Sequence, residues 1–142
     1  MFKLHDRLAE DCFQIGDFPL CRLLMMNDSQ YPWFILVPRV PDISEIYQLS
    51  AEDQAQLTIE SSILSGTLAR IFGAHKMNVA ALGNVVPQLH IHHIVRYRTD
   101  PVWPDPVWGK LAAVAYTDIE KEEVISRLDS VFNSELSHYQ SL

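Results

Sequence analysis

Three of the six histidines in this chain fall within four positions, His90, His92 and His93, in the stretch GNVVPQLHIHHIVRYR that spans residues 83–98. Side chains alternate across a β-strand, so an extended backbone puts Gln88, His90 and His92 on one face and His93 on the other. The face that carries His93 is otherwise apolar. We therefore expect His93 to face the core as a hydrogen-bonded histidine, buried or at an interface, and the other three to form an outward polar row.

Such a row could carry out phosphoryl or nucleotidyl transfer. A neutral imidazole is a nucleophile near pH 7, so His90 or His92 could attack phosphorus, and a neighbouring imidazolium could stabilise phosphate charge. The preceding bend, residues 83–86, can offer backbone N–H groups to phosphate oxygens.

Two other interpretations of the histidines stay open at this point. A metal site needs three or four ligands, and no second cluster of His, Cys or Asp is evident that would join His90 and His92. The segment could also be a histidine-rich strand without chemistry.

The elements that must position these residues follow from hydrophobic periodicity and turn residues. Strands are predicted by the apolar runs at residues 20–26, 33–38, 77–82 and 89–97, with the first two paired antiparallel across a short turn. A long helix is predicted over residues 51–72, with Ser50 as N-cap and Gly73 as C-cap. Thr117 and Glu120 form a capping box for a C-terminal helix, and Leu4, Leu8 and Phe13 suggest a short helix in the first dozen residues. The pattern predicts an α+β domain.

Composition narrows the classes of function. The chain has 142 residues and a formal net charge of −7, which argues against a general nucleic-acid binder, because phosphate contacts need clustered Lys and Arg. No apolar run is long enough for a membrane span, and the N-terminus lacks the apolar region of a secretory signal. Cys12 and Cys21 are expected to be free thiols in a reducing cytoplasm.

The histidine segment resembles the motif of the histidine triad (HIT) superfamily of nucleotide hydrolases and transferases, His-φ-His-φ-His-φ-φ with φ apolar. The register that preserves the alternation starts at Gln88 and reads Gln-Leu-His-Ile-His-His-Ile. GNVVP, residues 83–87, stands where the family has Gly-Gln-Ser/Thr-Val-x, and PWFILVPR, residues 32–39, resembles the family's Pro-Gly/Thr-His-x-Leu-Val-x-Pro strand. Trp103-Pro104 resembles a Trp-Pro segment of the phosphoramidase branch.

The resemblance implies a role for each matching residue of the motif. His90 would be the nucleophile that forms a covalent nucleotidyl-histidine, and His92 would orient the site and stabilise phosphate. Gln88 takes the place of the first histidine. Asn84 takes that of a phosphate-contacting Gln, and the amides of Val85 and Val86 would line the phosphate.

The resemblance also implies features beyond the motif. Asn27 resembles a ribose-binding Asn or Asp, and Asn78 resembles a polar residue near the phosphate. The implied fold is an antiparallel sheet with one long helix packed on it and a C-terminal helix, in a homodimer with a continuous sheet. We expect a single domain over residues 1–142, with its core at about 13–109 and a helical extension at about 117–136. The family's covalent chemistry generally needs no metal, and no cofactor is expected.

The sequence, through this resemblance, predicts a nucleotide hydrolase or nucleotidyl transferase that acts at an α-phosphate, with a nucleotide or dinucleotide as substrate. It departs from the family in two places, since Gln88 replaces a histidine and Val85 replaces the Ser or Thr that assists the leaving group in phosphoramidases. A nucleotide-binding protein with weak or no catalysis is the alternative.

Four further residues have two interpretations each. Arg96 and Arg98 could attract a distal phosphate or could be solvated edge charges. Trp103 and Trp108 could form a wall of a nucleobase pocket or could pack in the core or at a dimer contact.

Overall fold

The computed structural model covers all 142 residues. Its centre is one six-stranded antiparallel sheet with strand order β4-β5-β3-β2-β1-β6. The strands are β1 (Cys12–Asp17), β2 (Cys21–Met26), β3 (Trp33–Pro38), β4 (Lys76–Ala80), β5 (Ile91–Arg96) and β6 (Gln140–Ser141). The predicted α+β class and the antiparallel pairing of β2 with β3 are confirmed.

Three α-helices accompany the sheet, α1 (Asp6–Asp11), α2 (Ala51–Phe72) and α3 (Asp118–Glu135), with a short 3₁₀ helix at Ile46–Gln48. The Ser50 side chain accepts a hydrogen bond from the Asp53 amide at the start of α2. Gly73 ends α2 with a φ of 62°, a left-handed conformation that glycine adopts without steric cost. The capping box at the start of α3 is also present.

The sheet has two strands that the sequence analysis did not predict, β1 and β6. Phe13 belongs to β1 and not to the N-terminal helix. β1 follows α1 directly, with no turn residue between them, so no local signal marks this boundary. β6 has only two residues. It forms by pairing with Gly16 and Asp17 of β1, which are distant from it in sequence.

Both faces of the sheet are covered. On β3, Phe34 and Leu36 join the apolar core formed with α2 and α3, whereas Trp33 and Ile35 join a second apolar cluster on the opposite face. That second cluster includes Leu4 and Leu8 from the N-terminal region and Val86 and Val107 from two loops. No helix is long and apolar enough to cross a membrane.

The prediction of an outward polar row on β5 was therefore wrong. His90 and His92 are only 5% and 4% exposed, because the N-terminal region and the loop before α3 cover this face. The strand is also shorter than predicted, since it begins at Ile91 and leaves Gln88 and His90 in the preceding loop.

Arg96 contradicts both interpretations offered for it. Its side chain is 1% exposed and forms an ion pair with Asp100, with 2.8 Å between Nε and Oδ2. Its guanidinium also lies over the ring of Trp103. Arg96 is a buried structural cation, neither a solvated edge charge nor a phosphate ligand. Arg98, in the exposed turn after β5, donates from Nε to Nε2 of His75.

Candidate active site

A cavity of about 210 Å³ lies against the sheet face that carries His90 and His92. Both histidines line it, together with Leu82 and the loop residues Gly83, Asn84, Val85 and Val86. Its remaining walls come from α1 (Arg7, Leu8, Asp11) and from Met26, Trp33 and Trp108. The cavity is therefore mostly apolar, with imidazole, amide and a few charged groups at defined points.

The hydrogen bonds of His90 define its tautomer. Nδ1 lies 2.7 Å from the backbone oxygen of Gln88, which can only accept, so Nδ1 carries the proton. Nε2 then holds the free lone pair, and it makes no hydrogen bond to the protein. Burial lowers the pKa of His90 below its ordinary value, because a buried site disfavours the charged form. His90 is thus a neutral imidazole with its nucleophilic nitrogen free.

His92 is held in the opposite tautomer. The indole N–H of Trp33 donates to Nδ1 of His92 at 3.0 Å, and Nε2 of His92 lies 3.2 Å from the backbone oxygen of Leu82. An indole can only donate and a carbonyl can only accept, so the proton is on Nε2. Burial, followed by the neighbouring His90, lowers the pKa of His92 to about 4. His92 is therefore a neutral, fixed neighbour of His90, with 5.0 Å between the two ring centroids.

The loop before the histidines approaches His90 closely at Gly83. A Cβ built there would lie 2.7 Å from the Val86 carbonyl oxygen and 3.1 Å from Cε1 of His90, so only glycine fits without a shift of the backbone. Asn84 and Val85 are exposed and Val86 is buried at this loop. All three line the cavity, as expected if the loop faces a ligand.

Gln88 contacts the N-terminus rather than the cavity. Its side-chain Nε2 donates to the Lys3 carbonyl at 2.9 Å, and its Oε1 accepts from the His5 amide at 2.8 Å. Only its backbone oxygen reaches a catalytic candidate, through the bond to His90 Nδ1. Gln88 therefore makes its hydrogen bond to the site through its backbone, while its side chain holds residues 3 and 5.

The two asparagines assigned from outlying parts of the resemblance do not line the cavity. The Asn27 side chain accepts from the Tyr116 amide at 2.9 Å and so joins β2 to the loop before α3. The Asn78 side chain accepts from Nη1 of Arg96 at 2.8 Å. Both amides already have partners within the fold.

His93 lies on the α2 side of the sheet, as its position in the alternation predicts. Nδ1 pairs with the Ile91 carbonyl at 3.0 Å, and Nε2 pairs with the Ser61 hydroxyl at 2.7 Å. The residue is fully buried, and burial lowers its pKa to about 4. It lines none of the cavity that holds His90 and His92.

Sequence reasoning missed the cavity residues Arg7, Asp11 and Trp33, whose side chains are charged or form hydrogen bonds, as well as the apolar Leu8, Met26 and Leu82. Trp33 heads the apolar strand WFILVP, which reads as core, and its bond to His92 joins residues 59 positions apart. Arg7 and Asp11 belong to a helix of six residues with no local pattern of a site. Of the two tryptophans left open, Trp108 forms a wall of the cavity beside His92.

The low pKa values of the buried histidines predict that acid destabilises the protein. Each of these histidines has a pKa of about 4 in the folded state and near 6.5 in the unfolded chain. Between about pH 4 and pH 6.5 the unfolded chain therefore binds more protons than the folded protein does. Stability should therefore fall as the pH drops from about 6.5 to 4, by up to about 3 kcal/mol for each of His92 and His93. Urea unfolding near pH 7 and near pH 4.5 measures this loss.

A His93→Gln variant should lose less stability over the same pH interval than the wild type, whatever its stability near pH 7. His138→Gln serves as the control because His138 is exposed. Equal pH dependence in the wild type and His93→Gln would show that His93 does not contribute.

No group of three or more His, Cys, Asp or Glu side chains lies close enough together to hold a metal ion. The fold therefore brings no third His, Cys, Asp or Glu ligand to His90 and His92, which a metal site there would need.

Comparison with known proteins places the chain in a family. The HIT domain model matches residues 7–99. No curated protein matches the sequence. A histidine triad protein from Marinobacter aquaeolei VT8 has 54% sequence identity and a TM-score of 0.92, with 94% of this chain and 98% of that chain covered. One from Bradyrhizobium japonicum has 47% identity and a TM-score of 0.89, covering 91% of this chain and 96% of that one. One from Sinorhizobium meliloti 1021 has 42% identity and a TM-score of 0.89, covering 92% of this chain and 96% of that one. With two histidines of the motif beside one cavity, this chain belongs to the histidine triad (HIT) family.

Proposed function

We propose that this HIT protein is a nucleotide hydrolase or nucleotidyl transferase that acts at an α-phosphate through a covalent intermediate on His90. The observation that carries the proposal is the state of His90. Its Nδ1–H is donated to the Gln88 carbonyl, and its Nε2 is free beside a cavity. A neutral imidazole oriented through its other nitrogen is an activated nucleophile.

The reaction proceeds in two displacements. The Nε2 lone pair forms a bond to the α-phosphorus, and the bond from phosphorus to the leaving group breaks, with its electron pair departing on that group. Water, or another acceptor hydroxyl, then attacks the same phosphorus and releases its proton to bulk water. The N–P bond breaks, and its electrons return to Nε2 as the lone pair.

The other site residues have supporting roles in this proposal. His92, fixed by Trp33 at Nδ1 and by the Leu82 carbonyl at Nε2, orients the site beside His90. The Val85 and Val86 amides and the Asn84 side chain contact phosphate oxygens. Val85 supplies no hydroxyl to protonate a leaving group, so a phosphate leaving group, which needs less protonation, is favoured over an amine.

The test is turnover of two substrate classes. Wild-type protein incubated with a dinucleoside polyphosphate should release a nucleoside monophosphate, and an adenylyl phosphoramidate should react roughly 10²–10³-fold more slowly for want of a leaving-group donor. Val85→Thr should narrow that difference. Nucleotide-dependent thermal stabilisation with no release from either substrate would contradict hydrolysis and favour the alternative, a nucleotide-binding protein without efficient catalysis.

A homodimer with a continuous sheet is part of the same proposal. β4 has β5 as its only neighbour and is one of the two edge strands of the sheet, the other being the two-residue β6. Val79 on β4 is 48% exposed. An open edge presents unpaired backbone groups that a second copy can satisfy.

We expect sedimentation analysis to find a dimer in the wild type. In Val79→Lys the dissociation constant of the dimer should be at least about 10-fold larger, since a charged edge residue opposes strand pairing. Val114→Lys is the matched control, because Val114 is 52% exposed in a loop. A monomeric wild type, or Val79→Lys and Val114→Lys dimers of equal affinity, would contradict this arrangement.

The cytoplasm is the proposed location. The two cysteines, Cys12 and Cys21, are buried free thiols, and burial raises the pKa of Cys12 to about 12. Such unpaired thiols suit a reducing compartment.

A further inference from the structure

The side chain of Gln88 ties the N-terminus to the histidine loop. The Lys3 carbonyl and the His5 amide, which it binds, are two residues apart. In an extended segment such groups point to the same side, where a neighbouring strand would pair with both. One amide side chain supplies the matching donor and acceptor. We call residues 3–5 and the Gln88 side chain the N-terminal clasp.

The clasp leads directly into α1. His5 is the N-cap of that helix, and its Nδ1 accepts from the Arg7 amide at 3.1 Å. α1 in turn brings Arg7 and Asp11 to the wall of the His90 cavity. The position of Arg7 at this wall therefore depends on a helix that the clasp anchors.

Arg7 and Asp11 are the only lining residues of the cavity with a formal charge at neutral pH when the histidines are neutral. They pair with each other, with 2.7 Å between Nε of Arg7 and Oδ2 of Asp11, and their side chains are 58% and 44% exposed. An exposed pair of this kind adds little to stability, so it can open without harm to the fold.

A phosphate in this cavity needs a positive charge, and the histidines do not supply it. His90 and His92 are neutral in their hydrogen-bonded tautomers. A guanidinium offers several N–H donors in a planar fork that matches phosphate oxygens, and its contact with Asp11 leaves donors free.

We propose that Arg7 binds a phosphate of the substrate, replacing Asp11 as its anionic partner, and that the N-terminal clasp made by Gln88 is what positions Arg7 for this. The inference rests on the proposed function in taking a nucleotide as the substrate. It gives Gln88 a role other than proton transfer, that of a positioning residue whose side chain acts through α1.

The test is calorimetric binding of adenosine 5′-monophosphate, pyrophosphate and adenosine to the wild type and to variants. Arg7→Gln should weaken binding of both phosphate probes at least about 10-fold, the usual effect of losing a charged hydrogen bond, and leave adenosine unchanged. Asp11→Asn should strengthen phosphate binding, because it removes the competing carboxylate. Gln88→Ala should weaken phosphate binding, with no further loss when combined with Arg7→Gln.

Arg70→Gln is the matched control, since Arg70 pairs with Glu135 at 2.8 Å and these side chains are 59% and 49% exposed. If Arg7→Gln and Arg70→Gln bind phosphate with the same affinity, the proposed role of Arg7 is overturned. Full additivity of Gln88→Ala and Arg7→Gln would overturn the role of the clasp, and so would unchanged binding in Gln88→Ala.

Failure of this inference can be told apart from failure of the proposed function. If turnover depends on His90 but Arg7→Gln changes neither turnover nor phosphate binding, only the proposed role of Arg7 is wrong. If Arg7→Gln abolishes pyrophosphate binding but the wild type releases no nucleotide product, the anion site at Arg7 is supported and the proposed reaction is contradicted. A wild type that binds neither phosphate probe overturns the Arg7 site.

Discussion

Replacing His90 with alanine is expected to lower kcat/KM for a dinucleoside polyphosphate by at least about 10³-fold, because the group that forms the covalent bond is lost. No other cavity group can take its place. His92 is the nearest candidate, but both of its nitrogens are engaged, Nδ1 by Trp33 and Nε2 by Leu82.

Steady-state release of nucleoside monophosphate measures this effect. His138→Ala is the control, because His138 is exposed and lies outside the cavity, and it should retain wild-type turnover. Equal turnover by the wild type and His90→Ala would remove His90 as the nucleophile. Circular dichroism and thermal unfolding of His90→Ala establish that the loss is not one of folding.

Replacing Asp100 with alanine is expected to lower the free energy of unfolding by about 3–5 kcal/mol, the usual cost of leaving a buried charge without its partner. The side chains of Arg96 and Asp100 are 1% and 2% exposed. Two hydrogen bonds join them, from Nε at 2.8 Å and from Nη2 at 3.1 Å. Without the carboxylate, the Arg96 guanidinium keeps only the Asn78 oxygen and the faces of Tyr31 and Trp103 as partners.

Urea unfolding of Asp100→Ala beside Glu135→Ala tests the role of burial. Glu135 pairs with Arg70 at the same 2.8 Å, but on the surface, where such a pair contributes about 0–1 kcal/mol. A loss of stability in Asp100→Ala no greater than that in Glu135→Ala would contradict the structural role of Arg96.

Local sequence rules were enough for the parts of the fold that depend on neighbouring residues. The length and both caps of α2 follow from periodicity, Ser50 and Gly73. Strand alternation separated His93 from His90 and His92, and the structure has His93 bound to Ser61 on the other face of the sheet. The motif register, with His90 at its centre, also came from the alternation.

The rest could not be predicted because it depends on contacts between distant parts of the chain. Arg7 reaches the cavity through a short helix whose anchor, the pairing of Gln88 with residues 3–5, joins positions more than 80 apart. The polar residues of the His90 face predicted exposure to solvent, but a loop and the N-terminal region cover that face. Asn27 and Asn78, assigned from the looser parts of the resemblance, hold other segments in place instead. The single-domain boundaries stay a prediction.

The most direct test of the central claim is to trap the covalent intermediate. Wild-type protein is mixed with a dinucleoside polyphosphate, quenched in alkali within milliseconds to seconds, and analysed by intact and fragment mass spectrometry, since a phosphorus–nitrogen bond to histidine survives base and is cleaved by acid. We predict an added nucleoside monophosphate on His90 that appears before free product and is absent from His90→Ala. Product release without any adduct on His90, or an adduct on a different residue, would contradict the account.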